Sequence, residues 1–124
     1  MARIVICEDN AQICRMLERG LAQDGNKITV TSTVRDCLGS LEQGIPDLVL
    51  IDILLQGENA LALIRQLRAT YRDLTIIAMT GAGHELAHAA VAQGADGVLA
   101  KPFLLETLEA LIGNLARTKK SSPA

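Results

Sequence analysis

The chain has 124 residues, of which 49% are hydrophobic and 21% are charged, and its net charge is −2. This composition excludes a disordered chain, and the length suits one domain with a core of its own. The two aromatic side chains, Tyr71 and Phe103, cannot form a stacking platform for single-stranded nucleic acid, and the charge gives no basic footprint for DNA or RNA.

The first predicted strand is the apolar run Ile4–Cys7, and a helix follows it. Asn10 is placed to cap that helix, and Gly25 is placed to end it. The apolar residues between them recur at the spacing of one helix face: Ile13, Met16, Leu17 and Leu21. The rest of the chain repeats this strand–helix unit.

The second unit has a different kind of strand. Ile28–Thr31 alternates apolar and polar residues, which is typical of a half-exposed edge strand. Thr33 then caps a helix that ends at Gly44, with Asp36 in its first turn. The residues that face inward from this helix are Cys37, Leu38 and Leu41.

Three further units complete the pattern. Their strands are apolar runs bounded by polar or turn residues, which favours burial on both faces: Leu48–Ile51, Ile76–Met79 and Val98–Ala100. Two of their helices span about Asn59–Thr70 and about His84–Gln93, the second closed by Gly94. The last helix carries an apolar stripe: Leu104, Leu105, Leu108, Leu111, Ile112 and Leu115.

The order of elements is strand then helix, five times. Such alternation implies right-handed crossovers and a parallel sheet with helices on both faces. Five units are too few for an eight-fold barrel, so the sequence predicts an open, doubly wound α/β fold. In such a sheet, ligands bind beyond the carboxyl ends of the strands.

Polar residues follow each of the four apolar runs that we predict as buried strands. Glu8 and Asp9 follow the first, Asp52 the Leu48–Ile51 run, Thr80 the next and Lys101 the last. A single polar residue at a strand end is common, because strands end at the surface. Three acids in one crevice are much less common, and this favours a functional site.

Carboxylates that share a cleft repel each other and raise each other's pKa values. A hard divalent cation relieves that repulsion, and oxygen ligands alone suit Mg²⁺ or Mn²⁺. A hard metal beside a carboxylate, an ammonium group and a hydroxyl is the set of groups that phosphoryl transfer needs.

With these residues the sequence resembles a response-regulator receiver domain, the CheY-like phosphoacceptor of bacterial two-component systems. The resemblance runs from Ile4 to about Leu115 and implies a flavodoxin-like (βα)5 sheet with strand order 2-1-3-4-5. The segments that carry it are Glu8-Asp9, Pro46–Asp52, Met79-Thr80-Gly81, Gly94–Gly97 and Lys101-Pro102-Phe103. Each segment alone is a weak match, whereas the ordered set is specific.

The resemblance implies a role for each acidic residue. Asp52 is the nucleophile that takes a phosphoryl group from a histidine kinase or a phosphotransfer protein. Asp9 and Glu8 bind the Mg²⁺ ion together with Asp52, Asp9 more directly than Glu8, and the backbone carbonyl of Leu54 completes the protein ligands. The protein is then a signalling switch that takes part in its own phosphorylation and dephosphorylation, and not an enzyme with a separate substrate.

The same resemblance assigns the remaining site residues. Thr80 hydrogen-bonds a phosphoryl oxygen and shifts on phosphorylation, Lys101 neutralises another oxygen, and the peptide bond before Pro102 is cis. The change reaches a downstream target, or a phosphorylation-dependent dimer, through the surface of the fourth helix, fifth strand and fifth helix. The kinase docks on Ile13, Met16, Pro102 and Phe103.

The sequence also departs from the family. Gln56 and Ala60 stand where a proline and a glycine are common after the phosphoacceptor, so we expect an altered loop and intact chemistry. Val98 stands where many members carry a switch tyrosine or phenylalanine. A valine cannot make that ring rotation, so the coupling uses a smaller repacking or is weak.

A competing interpretation comes from His84-Glu85-Leu86-Ala87-His88, which matches the H-E-x-x-H pattern of zinc metalloproteases. Glu106 or Glu109 is the candidate third ligand. We expect the helix that carries it to lie outside the sheet without a substrate cleft. Two exposed histidines on an amphipathic helix are therefore the favoured interpretation.

The remaining expectations concern location and boundaries. No apolar run reaches the roughly 18 residues of a membrane span, and the N-terminus lacks the pattern of a signal peptide. The cysteines have no C-x-x-C spacing, so we read them as reduced and buried in a cytoplasmic protein: Cys7, Cys14 and Cys37. The receiver domain is expected over residues 1–117, with a flexible tail over 118–124.

Overall fold

The structure is a computed structural model that describes residues 2–81 and 84–121. Within these ranges the main strands are β1 (Arg3–Cys7), β2 (Lys27–Thr31), β3 (Leu48–Asp52), β4 (Thr75–Thr80) and β5 (Gly97–Ala100). The helices are α1 (Ala11–Gln23), α2 (Val34–Gln43), α3 (Leu61–Thr70), α4 (His84–Gln93) and α5 (Leu105–Ser121). A short hairpin follows β3 and pairs Leu54–Leu55 with Glu58–Asn59.

The main strands form one parallel sheet in the order β2-β1-β3-β4-β5. The predicted doubly wound fold and its strand order are therefore confirmed. Because β1 is flanked by β2 and β3, the chain reverses direction across the sheet between β1 and β3. This is the switch point where α/β sheets of this kind bind ligands.

Helices cover both faces of the sheet, and alternate strand residues supply the two halves of the core. On one face α2, α3 and α4 pack on the buried side chains of Val5, Cys7, Val49, Ile51, Ile76 and Ala78. On the other face α1 and α5 pack on Ile4, Ile6, Leu48, Leu50, Ile77, Met79 and Leu99. Burial on both sides explains the continuous apolar runs of β1, β3 and β4.

The predicted caps lie where the sequence places them. The Asn10 side chain accepts the Ile13 N–H at 3.0 Å, and the Thr33 hydroxyl accepts the Asp36 N–H at 3.0 Å. Each cap satisfies a helix donor that would otherwise have no partner. Gly94 ends α4 with a φ of 123°, a conformation that favours glycine.

Several details differ from the sequence predictions. The fifth strand is an edge strand in which Leu99 is buried and Val98 is half-buried, so its short apolar run does not indicate burial on both faces. Leu104 precedes α5 and is 68% exposed, and Cys14 is half-buried and not part of the core. All three cysteines are free, as expected.

Helix boundaries shift as well. The third helix begins at Leu61 because Asn59 belongs to the hairpin, whose pairing with Leu54 holds it in an extended conformation. The fifth helix continues to Ser121, beyond the start of the predicted tail at residue 118, and residues 122–124 of that tail lie outside the described ranges. No helix in the described part of the chain is long and apolar enough to cross a bilayer.

Candidate functional site

The sheet topology brings the predicted polar residues to one edge. Glu8 and Asp9 follow β1, Asp52 ends β3, Thr80 ends β4, and Lys101 follows β5. Since the strands are parallel, their carboxyl ends meet at the same edge, and β1, β3 and β4 are direct neighbours there. Side chains far apart in the sequence thereby line one crevice.

Three carboxylates form the centre of this crevice. One oxygen from each of Glu8, Asp9 and Asp52 lies within 4.8 Å of the other two. Glu8 is 1% exposed and Asp52 is 6% exposed, whereas Asp9 is open to solvent. The group is therefore an acidic cleft with a buried floor and an accessible side, and its oxygen atoms suit a hard divalent cation.

Lys101 bridges the two buried carboxylates of the cleft, Glu8 and Asp52. Its ammonium group lies 2.5 Å from Glu8 Oε1 and 2.9 Å from Asp52 Oδ2. The second Glu8 oxygen, Oε2, accepts the backbone N–H groups of Asp9 at 3.0 Å and Asn10 at 3.3 Å. Both Glu8 oxygens are thus engaged by the protein, and Asp9 is the more accessible carboxylate.

Glu8 and Lys101 each affect the pKa of the other. Burial raises the pKa of Glu8, and the neighbouring Asp52 raises it further, against the opposing effect of Lys101. For Lys101 burial acts to lower the pKa, but the hydrogen bonds to Glu8 and Asp52 outweigh it, and the pKa is raised. Lys101 therefore stays an ammonium group in the cleft.

The hairpin after β3 forms a wall of the cleft. The Leu54 N–H donates to Asp52 Oδ1 at 3.1 Å. In a hairpin with a two-residue turn, the two residues that flank the turn, here Leu55 and Glu58, hydrogen-bond to each other. The next two opposite residues, Leu54 and Asn59, do not, so their backbone N–H and C=O groups point away from the hairpin. Both polar groups of an extended residue face the same side, so the Leu54 carbonyl is also turned away from Asn59, its partner in the hairpin.

Thr80 and Pro102 lie beside the cleft, whereas Val98 lies within β5. Thr80 is buried at the end of β4, and its carbonyl accepts the Lys101 N–H at 2.8 Å. The Lys101–Pro102 peptide bond is cis, the isomer that the resemblance implies. Val98 is half-buried and packs against the core face formed with α2, α3 and α4, as does Leu86 of α4.

The predicted docking residues also come together. Ile13, Met16, Lys101, Pro102 and Phe103 line a groove of about 320 Å³ beside the carboxylate cleft. Met16 is 38% exposed, while Ile13 and Phe103 are half-buried against the core. The groove is thus a mainly apolar surface, and Lys101 lines both the groove and the carboxylate cleft.

The zinc interpretation of the H-E-x-x-H segment finds no support. His84 and His88 are exposed on α4, as expected for histidines on the surface of a helix. Within the described residues, the one group of three or more potential metal-ligating side chains is the carboxylate trio, and neither histidine belongs to it. A catalytic zinc ion needs three protein ligands, and neither Glu106 nor Glu109 joins the histidines in such a group.

Two contacts at the site escaped the sequence analysis. The Gln56 N–H donates to Asp9 Oδ2 at 3.0 Å, and the Cys14 thiol donates to the Glu8 carbonyl at 3.2 Å. The dipeptide Gln56-Gly57 contains a turn glycine, which could have indicated a hairpin. The hydrogen bond from the Gln56 N–H to Asp9, 47 residues away in sequence, depends on how the loop packs against the sheet.

Comparisons with known proteins show which sequences and folds the chain is similar to. The family model of the response regulator receiver domain matches residues 4–113. The chain is 30% identical over 118 residues to the virulence transcriptional regulatory protein PhoP of Salmonella choleraesuis, which covers 94% of this chain and 53% of that protein. It is 32% identical over 116 residues to the response regulator MprA of Mycolicibacterium vanbaalenii, which covers 93% and 50%.

A solved structure shares the fold across its whole length. The receiver domain of TorR, the response regulator of the TMAO respiratory system, superposes with a TM-score of 0.89 at 30% identity, which covers 95% of this chain and 98% of that one. By contrast, the chain spans about half the length of the curated relatives it matches. The similarity therefore concerns one domain of those longer proteins.

Proposed function

Because the chain belongs to the family of response regulator receiver domains, we propose that Asp52 is its phosphoacceptor in a two-component system. One observation carries the proposal: Asp52 ends β3 inside a trio of carboxylates and is held by Lys101 at 2.9 Å. The acceptor position therefore combines a nucleophilic oxygen, a cation and further acidic groups in a single crevice.

The donor set fits Mg²⁺ or Mn²⁺. Asp9, Asp52 and the Leu54 carbonyl would hold the ion, with Glu8 behind them on the buried floor. All of these donors are oxygen atoms, and Mg²⁺ typically takes one or two carboxylates plus phosphate oxygens and water. When bound, the ion supplies positive charge that offsets the negative charge of the carboxylates and of the phosphoryl group.

The proposed transfer is a displacement at phosphorus. An oxygen lone pair of the Asp52 carboxylate forms a P–O bond, and the P–N bond of the donor's phosphohistidine breaks. The bonding pair leaves with the imidazole nitrogen, and the product is an acyl phosphate on Asp52. The protein chiefly positions these groups and stabilises the charge on the phosphoryl oxygens.

Lys101 and Thr80 are proposed to bind the new phosphoryl group. The ammonium group that contacts Asp52 in the unmodified protein would contact a phosphoryl oxygen instead. A phosphoryl group adds charge and acceptor oxygens, which gives Thr80 a new partner and biases the position of the α4-β5-α5 surface. Because Val98 and Leu86 pack beneath that surface, a small repacking there would carry the change.

The proposed partners follow from these surfaces. A histidine kinase or phosphotransfer protein docks on the groove of Ile13, Met16, Pro102 and Phe103. A downstream target, or a second phosphorylated copy, binds the α4-β5-α5 surface. We propose that the domain binds no nucleic acid directly, turns over no separate substrate and acts in the cytoplasm.

Metal-dependent labelling tests the proposal. Incubation with acetyl phosphate and Mg²⁺, followed by intact-mass spectrometry, is expected to add one phosphoryl group to the unmodified chain and none to Asp52→Asn. The matched control is Asp36→Asn, which removes an exposed carboxylate on α2 and should label normally. Labelling of Asp52→Asn at the rate of the control would refute the assignment, as would labelling that persists unchanged in EDTA.

A further inference from the structure

The hairpin turn after β3 places a backbone donor on a proposed metal ligand. Gln56 and Gly57 have φ values of 51° and 78°, and positive values at both central residues are the mark of a type I′ turn. Gln56 is the one non-glycine residue with positive φ in the described part of the chain. The sequence therefore places glutamine in a conformation that its side chain disfavours.

The turn leaves the Gln56 N–H without a partner inside the hairpin. In a two-residue turn the flanking residues, Leu55 and Glu58, make the closing hydrogen bonds, and the N–H of the first central residue points outward. Here that N–H donates to Asp9 Oδ2 at 3.0 Å. An amide that would face solvent thus contacts the exposed member of the carboxylate trio.

We propose that the Gln56 backbone N–H is a positioning group that fixes the Asp9 carboxylate for metal binding. This inference rests on the proposed function, because it adds a group that positions a ligand of the proposed metal site. With Oδ2 held by the amide, Oδ1 is the oxygen left to the ion, beside Asp52 and the Leu54 carbonyl. The hairpin then donates two backbone hydrogen bonds to the site, from Leu54 to Asp52 and from Gln56 to Asp9.

A fixed ligand binds a metal more tightly than a mobile one, because the ordering of the side chain precedes binding. The partners that orient metal ligands change affinity about 10–100-fold when they are removed. Proline at position 56 would have no N–H to donate and could not adopt a positive φ. Proline at this position would therefore remove the contact with Asp9, whereas any other residue type keeps the N–H that makes it.

Metal affinity in two variants tests the inference. Titration calorimetry with MgCl₂ should give Gln56→Pro a dissociation constant about tenfold above that of the unmodified chain. Gln56→Asn keeps the N–H and tolerates positive φ, so it should restore affinity to within about twofold. Equal affinities for Gln56→Pro and the unmodified chain would overturn the inference, as would equal losses in both variants.

Amide exchange tests the contact without altering the turn. In NMR exchange measurements the Gln56 N–H should exchange at least about tenfold faster in Asp9→Ala, which lacks the acceptor. In the unmodified chain its protection should persist when MgCl₂ is added. Exchange unaffected by Asp9→Ala, or protection lost with MgCl₂, would overturn the inference, the latter because the ion then displaces the amide.

These outcomes separate the inference from the proposed function. If the unmodified chain binds Mg²⁺ and accepts a phosphoryl group while Gln56→Pro matches it, only the role of Gln56 is wrong. If the unmodified chain binds no Mg²⁺, the metal part of the proposed function is wrong and this inference falls with it.

Discussion

At the scale of single residues, the chemistry of the site was predictable and its hydrogen bonds were not. Glu8, Asp9, Asp52 and Lys101 stand directly after apolar runs, and a parallel sheet brings such positions to one edge. The sequence does not show that both Glu8 oxygens are taken by Lys101 and by backbone N–H groups. Those pairings depend on distances that only the folded chain fixes.

The first prediction concerns Lys101. Lys101→Ala removes the cation between two carboxylates with little exposure, so the free energy of unfolding at neutral pH should fall by about 1–3 kcal/mol. The loss should be smaller than for a fully buried ion pair because the Lys101 side chain is 19% exposed. Urea unfolding measures the change. Lys27→Ala, which removes an exposed lysine of β2, is the control, and equal effects in both variants would contradict the account.

At the scale of elements, strands and helix caps followed from sequence patterns, whereas the loops did not. Apolar runs and the caps Asn10 and Thr33 are local signals, and the structure contains the elements they indicate. The hairpin at Leu54–Asn59 has two-residue strands, too short for a periodic pattern. The short run in β5 also misled the prediction, since an edge strand and a central strand can share the same three residues.

The end of α4 gives the second prediction. Gly94 has a φ of 123°, and a Cβ there would lie 2.7 Å from the Cβ of Arg68. The guanidinium group of Arg68 donates to the Gly94 carbonyl at 3.0 Å and lies 2.7 Å from the Asp96 carboxylate. Gly94→Ala should therefore lower the free energy of unfolding by about 1–3 kcal/mol. Thermal denaturation measures the loss.

Gly39→Ala is the matched control for Gly94→Ala. Gly39 lies inside α2, and a Cβ there would meet nothing within 4 Å. Alanine should raise the free energy of unfolding by about 0.5–1 kcal/mol, because glycine is the weaker helix former. If Gly94→Ala were as stable as Gly39→Ala, the positive φ and close approach at residue 94 would be wrong.

At the scale of the whole molecule, the fold follows from the order of five strand–helix units and places two surfaces around one cleft. The proposed docking groove borders the cleft through Lys101, and β5 of the proposed α4-β5-α5 surface pairs with Thr80 at its Ala100 end. The sequence predicted both surfaces only through the family resemblance. Composition and periodicity cannot select which exposed apolar residues bind a partner, because scattered exposed apolar residues are normal.

The third prediction separates docking from chemistry. Ile13→Ala should slow phosphoryl transfer from a histidine kinase about tenfold, because it removes an apolar contact from the groove. Labelling by acetyl phosphate should be unchanged, since this small donor needs no docking surface. Val91→Ala, at an exposed apolar residue of α4, is the control for kinase transfer. Equal slowing with both donors would show that Ile13 acts on the fold and not on docking.

The most direct test of the central claim is to map the residue that carries the acyl phosphate. After labelling with acetyl phosphate and MgCl₂, borohydride reduction converts a phosphorylated aspartate to homoserine, which peptide mass spectrometry locates. The account predicts homoserine at position 52, with none at position 9 and none in Asp52→Asn. Homoserine at another position in the unmodified chain, with residue 52 intact, would contradict the claim that Asp52 is the phosphoacceptor.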